Sequence, residues 1–201
     1  MHNVTSLNLA NNQIGDSGAQ YISTMRRIED LNLNFNQIGD DGARHIANMQ
    51  RIEYLQLKSN EIGDLGANHI AHMPDILNLD LAQNRIGATG AKDISEMRKL
   101  VILNLAQNQI GDSGAERIAH MQDMVTLDLS ENQITNNGLP HFTFMQKMKE
   151  LNLAKNQMGD TGAEYISTMQ SLTSLNLSEN QITDDGALHL SSLRGLSHLS
   201  I

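Results

Sequence analysis

Cysteine and tryptophan are absent from the 201 residues, and proline occurs only twice. Without cysteine there is no disulfide framework, no thiolate metal site and no thiol nucleophile. Aromatic residues make up 3% of the chain, and 14 lysines and arginines face 23 acidic residues, a net charge of −9. That balance argues against nucleic acid or an anionic membrane as the partner. No apolar run approaches the roughly 20 residues needed to span a bilayer. The start, Met1-His2-Asn3-Val4-Thr5, lacks the basic and apolar regions of a secretory signal. A cytoplasmic protein is therefore expected. Apolar residues reach 39%, too many for a disordered chain.

What is present is a period. Leu7, Leu31, Leu55, Leu79, Leu103, Leu127, Leu151, Leu175 and Leu199 stand 24 residues apart without an insertion. A second leucine follows two residues later from Leu9 to Leu177. Asn12 to Asn180 and Gly18 to Gly186 form equally unbroken columns. Eight repeats covering 7–198, with a ninth strand at His198–Ile201, account for 1–201 as a single domain. Six residues precede the first leucine and the chain stops inside strand nine, so exposed core edges are expected at both ends.

Each unit reads Leu-x-Leu-x-x-Asn-x-Ile-Gly-Asp-x-Gly-Ala-x-x-Ile-x-x-Met-x-x-Ile. The first part alternates as a short half-buried strand must. The asparagine at its end can satisfy backbone groups of its own and the neighbouring turn. The second part has helical spacing: Ala19, Ile22, Met25 and Ile28 put one apolar stripe toward the strands. The methionine column from Met25 to Met169 fills space between strand and helix layers, as flexible thioethers do. Asp16 and its equivalents Asp40, Asp64, Asp112, Asp160 and Asp184 read as helix N-caps. A calcium ladder fits less well, because Ala88 and Asn136 interrupt the column. In the sixth unit, Leu139–Phe144 replaces the Ala-x-x-Ile segment; Phe142 is expected in the core isoleucine position and Phe144 outside.

The pattern resembles leucine-rich repeats of the short ribonuclease-inhibitor-like kind. Ile62–Ala71 and Ile110–Ala119 look like the GALA-type repeat of bacterial effectors. The resemblance covers essentially the whole chain. It implies an α/β solenoid, or horseshoe, with a parallel concave β-sheet and short convex helices. It also implies a protein-binding module whose partner is a protein, such as an enzyme that it inhibits or another effector. For an effector, the expected location extends to the cytosol of a host cell. The rival is a passive structural or engineered scaffold with no dedicated ligand, which the insertion-free period favours.

Outward strand positions are where such a scaffold binds. Most carry small or amide residues. Against that background Phe35, Tyr54 and Ile102 are large and apolar, with Asp30, Lys58, Asp80 and Arg85 as a charged rim. Later strands turn acidic, with Asp128, Glu131, Glu150 and Glu179. Enzyme chemistry does not assemble. His45, His69 and His72 invite a metal reading, but equivalent positions in neighbouring repeats stand about 8–10 Å apart and no carboxylate converges on them. No phosphate loop and no nucleophile–base pair is found, so no catalytic residue, metal or cofactor is expected.

Overall fold

The computed structural model describes residues 3–201. Among them, nine three-residue strands form one parallel sheet in sequence order. These are β1 (Ser6–Asn8), β2 (Asp30–Asn32), β3 (Tyr54–Gln56), β4 (Asn78–Asp80), β5 (Ile102–Asn104), β6 (Thr126–Asp128), β7 (Glu150–Asn152), β8 (Ser174–Asn176) and β9 (His198–Ser200). Register never slips: Leu7 faces Leu31, Leu31 faces Leu55, and so on to Leu175 and Leu199. Short helices alternate with the strands: α1 (Asp16–Ile22), α2 (Asp40–Ile46), α3 (Asp64–Ala71), α4 (Ala88–Ile94), α5 (Gly111–Ile118), α6 (Asp160–Ile166) and α7 (Asp184–Leu190). Parallel strands pack about 4.8 Å apart and helices need roughly 8–10 Å. The stack therefore bends with the sheet inside, as a leucine-rich solenoid does.

The core lies between the two layers. Leu31, Leu33, Leu55, Leu57, Leu79 and Leu81 are fully buried, as are Ile46, Ile70 and Ile94 of the helices. Each such side chain contributes roughly 1.5–3 kcal/mol of burial. The methionines complete the fill: Met49, Met73, Met97, Met121, Met145 and Met169 are all buried. They lie in the turn after each helix, where Met25 and Met49 donate their amides to Ile22 and Ile46 at 2.9 Å. Val4 packs against the same core. At the last strand, Leu199 is 45% exposed, unlike its buried counterparts Leu151 and Leu175.

The asparagine column forms the expected ladder. Asn36 Nδ2 donates to the carbonyls of Leu9 and Leu33 at 3.0 Å, and its Oδ1 accepts from Ile14 N–H at 2.9 Å. Asn60, Asn84 and Asn108 repeat this pattern.

The aspartate column works differently from the N-cap reading. The helix N-cap is Gly15, with Asp16 the first helical residue, and no side chain caps that helix. Asp16 Oδ1 instead accepts from Gly39 and Gly42 of the next repeat, at 2.8 and 2.9 Å. Asp40 and Asp64 do the same to Gly63, Gly66, Gly87 and Gly90. The carboxylate thus supplies the orphan amides of the following helix, 23 and 26 residues on. Asn136 keeps this role through its amide oxygen, toward Gly159 at 2.8 Å.

The sixth unit departs as its sequence foretells. Two 3₁₀ turns, Asn136–Gly138 and Pro140–Phe144, replace the α-helix, with Pro140 at the first position. Phe142 is fully buried in the isoleucine column, and Phe144 is exposed. No helix among the described residues is long and apolar enough to cross a membrane.

Candidate partner-binding face

The solvent side of the sheet is built from the residues flanking each core leucine. One row runs Asp30, Tyr54, Asn78, Ile102, Thr126, Glu150 and Ser174, in register on successive strands. The second row runs Asn32, Gln56, Asp80, Asn104, Asp128 and Asn152.

The second row has a local job. Asn32 Oδ1 accepts from the Asn34 amide at 3.0 Å, Asp80 from Ala82 at 3.0 Å, and Asn104 from Ala106 at 3.0 Å. These side chains brace the turn that leaves the strand, as Asx turns do. Immediately after that brace comes a column of left-handed residues: Asn11, Phe35, Ser59, Gln83, Gln107, Glu131, Lys155 and Glu179, all with φ between 53° and 60°. At Gln56 the brace is missing, and Lys58 N–H donates instead to Asn34 Oδ1 at 2.7 Å.

The seven expected contact residues fall into two groups. Asp30, Tyr54 and Ile102 share the first row, and Asp80 lies in the second. Tyr54 is 44% exposed and Ile102 37%. Asn78 stands between them, a member of the face that sequence reasoning passed over because an amide there looks like background. Phe35, 45% exposed, is in the left-handed turn at the far end of β2. It is five residues along from Asp30 of the Tyr54 row, up to about 17 Å. Lys58 Nζ lies over the Phe35 ring, 5.8 Å from its centroid. Arg85 sits beyond the asparagine ladder and pairs with Glu61 at 3.2 Å. The structure therefore gathers Asp30, Tyr54, Asp80 and Ile102 on the sheet, and sets Phe35, Lys58 and Arg85 along its edge.

Charge is uneven. Neither outward row holds a lysine or arginine, while Asp30, Asp80, Asp128 and Glu150 stand in them. Burial pushes the Asp80 carboxyl above the usual aspartate range; the Ala82 amide and Lys58 oppose that shift and Asp128 adds to it. At the edge, the Gln107 side chain, with Lys155, holds Glu131 below the usual range. A shallow groove on the later strands is lined by Thr126, Asp128, Glu150, Asn152, Ser174 and Asn176.

On the outer side, His120 and His141 stack with ring centroids 5.4 Å apart, and Phe144 follows at 5.9 Å from His141. Sequence reasoning missed this stack, because its members come from different repeats at unequal offsets. Among the described residues, no group of three or more His, Cys, Asp or Glu side chains converges as a metal site.

An open parallel sheet backed by short helices, with an asparagine ladder along one edge, defines a leucine-rich-repeat solenoid. The chain belongs to the leucine-rich repeat family. One model described as leucine rich repeat matches residues 26–86 and 146–201, and a second matches 1–23, 96–119 and 120–139. No curated protein matches the chain. Among solved structures, internalin C2 of Listeria monocytogenes is similar over 98% of this chain and 80% of its own, with a TM-score of 0.80 and 24% identity. A leucine-rich-repeat protein of Leptospira interrogans has a TM-score of 0.76 and 18% identity over 98% of this chain. The plant peptide hormone receptor RGFR1, solved in complex with RGF2, has a TM-score of 0.53 and 16% identity over the full chain. This chain spans 49% and 47% of the latter two. At these identities the likeness is one of fold. Leucine-rich-repeat domains are generally non-enzymatic scaffolds for protein–protein interaction.

Proposed function

We propose that this chain is a protein-binding module that takes a protein partner on the exposed face of its sheet. The observation that carries the reading is the half-exposed pair Tyr54 and Ile102, two large apolar groups in one row of an otherwise small and polar face. Neither side chain supports the core, and aromatic or aliphatic anchors rimmed by charge are what interfaces use. Asp30, Phe35, Lys58, Asp80 and Arg85 complete the contact set, the edge group orienting the partner. In the finer form, the chain is a bacterial effector-type or inhibitor protein of the ribonuclease-inhibitor-like, GALA-type class that occludes an enzyme, in a cytosol. The Ile-Gly-Asp-x-Gly-Ala pattern supports that form.

A passive scaffold is the second reading. The structural role of the second-row amides favours it, since they brace backbone turns and need no ligand to explain them. Capture from cell lysate separates the two. Native chain is expected to retain a partner that Tyr54→Ala/Ile102→Ala loses. Equal recovery by both chains refutes the sheet-face reading, and absence of any retained protein favours the scaffold.

A further inference from the structure

Asp80 is the sheet-face aspartate that combines a vacant carboxylate oxygen with large apolar side chains on both flanking strands. Asp30 also meets a donor at one oxygen only among the described residues, Oδ2 accepting from Ser6 Oγ at 2.9 Å, but the strand on one side of it carries Ser6. Asp128 is occupied at both oxygens, by the Ser130 amide and hydroxyl and by Asn152 Nδ2 at 2.9 Å. Asp80 Oδ1 accepts from the Ala82 amide, but its Oδ2 meets no donor among the described residues. The side chain is half-buried, and that burial disfavours its charged form. Lys58 is close enough to act through its field, yet it makes no ion pair with Asp80 and lies over the Phe35 ring.

The approach to Asp80 along β4 is apolar on both sides. Its own cross-strand neighbours are Gln56 and Asn104, while Tyr54 on β3 and Ile102 on β5 flank Asn78, two residues earlier on the same strand and about 7 Å away. A half-buried carboxylate with one vacant oxygen, reached past two apolar side chains that flank the strand two residues earlier, suits a long cationic side chain. Such a chain lays its methylenes on apolar surface and keeps its charged head at the acid. A guanidinium adds a planar donor edge and an attraction to the tyrosine ring. Neither outward row supplies a lysine or arginine, and Lys58 lies over Phe35 without pairing with Asp80, which leaves the vacant oxygen open to a partner's cation.

We propose that Tyr54, Asp80 and Ile102 form a seat for one arginine side chain of a protein partner, its guanidinium on the Asp80 carboxylate and its stem between the tyrosine and the isoleucine. This rests on the protein-binding reading above and specifies the chemistry of the partner. Asp128 and Glu150 extend the negative field along the sheet and favour a partner segment rich in basic residues.

The test uses a hexa-arginine peptide and its uncharged hexa-citrulline counterpart, titrated into the full chain and followed by fluorescence anisotropy. Asp80→Asn is a fold-neutral probe, because Asn32 and Asn104 make the same turn bond in their own repeats. Glu96→Gln on the outer side removes the same charge away from the sheet. Asp80→Asn is expected to raise the Kd for hexa-arginine about fivefold or more, and Glu96→Gln less than about twofold. Tyr54→Ala should weaken binding as well, and hexa-citrulline should bind far more weakly than hexa-arginine. Equal effects of the two charge removals, equal binding of citrulline, or no binding of hexa-arginine would overturn the arginine seat. Capture of a partner that depends on Tyr54 and Ile102 would stand regardless, so the two readings fail separately.

Discussion

Where Ala88 replaces the aspartate that six other repeats carry, Gly111 in the next repeat adopts a left-handed conformation, φ +59°. At Gly39, Gly63 and Gly87 the equivalent glycine is extended and donates to the preceding carboxylate, as Gly87 does to Asp64 at 2.7 Å. With no acceptor at position 88, the Gly111 amide turns to the Asn132 carbonyl at 3.0 Å, and Gly114 donates to Ile110 within its own helix. Both orphan amides stay satisfied, but by a different backbone path.

Restoring the carboxylate should restore the path. Ala88→Asp is expected to stabilise the chain by about 1 kcal/mol, the worth of charge-assisted bonds to two helix amides. Gly111→Ala should cost about 1 kcal/mol in the native chain, because a Cβ disfavours φ near +60°. In the Ala88→Asp background that cost should vanish, as Thr135 and Thr183 occupy the same place opposite Asp112 and Asp160. Urea denaturation of the four chains measures the coupling; additive effects would disconnect the two positions.

Gly42 is held to glycine by contact. A Cβ there would lie 2.5 Å from Asp16 Oδ1 and 2.7 Å from Ile38 Cγ2. Gly42→Ala should therefore destabilise by about 2–3 kcal/mol, and Gly42→Ala with Asp16→Ala by less than the sum. A melting temperature unchanged in Gly42→Ala would contradict the tight approach.

Two carboxylates should titrate in opposite directions. Burial raises the pKa of Asp80, so its favourable contribution is complete below about pH 4 and is lost as pH rises through the folded value. Asp160 is lowered by the amide and hydroxyl of Thr183, so its contribution is present above about pH 4 and is lost as pH falls through the folded value. Asp80→Asn is therefore expected to raise stability at pH 7, by up to about 1 kcal/mol, and to do little at pH 3. Thr183→Ala should move the Asp160 titration up toward the ordinary range. Carbon-detected NMR of the carboxyls reads both.

Tyr54 and Phe35 are far enough apart to act independently. Once a partner is in hand, each alanine variant is expected to weaken binding by roughly 1–3 kcal/mol with the fold unchanged. The two losses should add within about 0.5 kcal/mol. Strong non-additivity in calorimetric titration would mean that one bound group bridges them.

The period made most of this legible. Leucine alternation fixed the strands, their parallel register and the buried columns, because the same burial problem is solved in each repeat. Phe142 could be placed in the core for the same reason. Of the partnerships lying outside one unit, the asparagine ladder was legible and the others were not. Asp16 looks like the cap of its own helix because its true donors, Gly39 and Gly42, are distant in sequence. The left-handed turn at Phe35 carries no local signature, since phenylalanine has no preference for that conformation. That turn is what separates Phe35 from Tyr54, and side-chain geometry alone joins Arg85 to Glu61. Asp80 was recognised as charged, but not that one of its oxygens is vacant.

The crossing bonds at each junction run both ways: an asparagine reaches back one repeat, as Asn60 does to Leu33, and an aspartate takes amides from the repeat ahead, as Asp40 does from Gly63. Each of the first three units thus presents the same plug on one side and the same socket on the other. Copy number becomes an adjustable quantity, since excising or duplicating a 24-residue segment within the first three units recreates the junction it interrupts. A chain built this way can lengthen its sheet, and move Tyr54 relative to the acidic later strands in steps of one strand spacing, without redesigning any contact that holds it together.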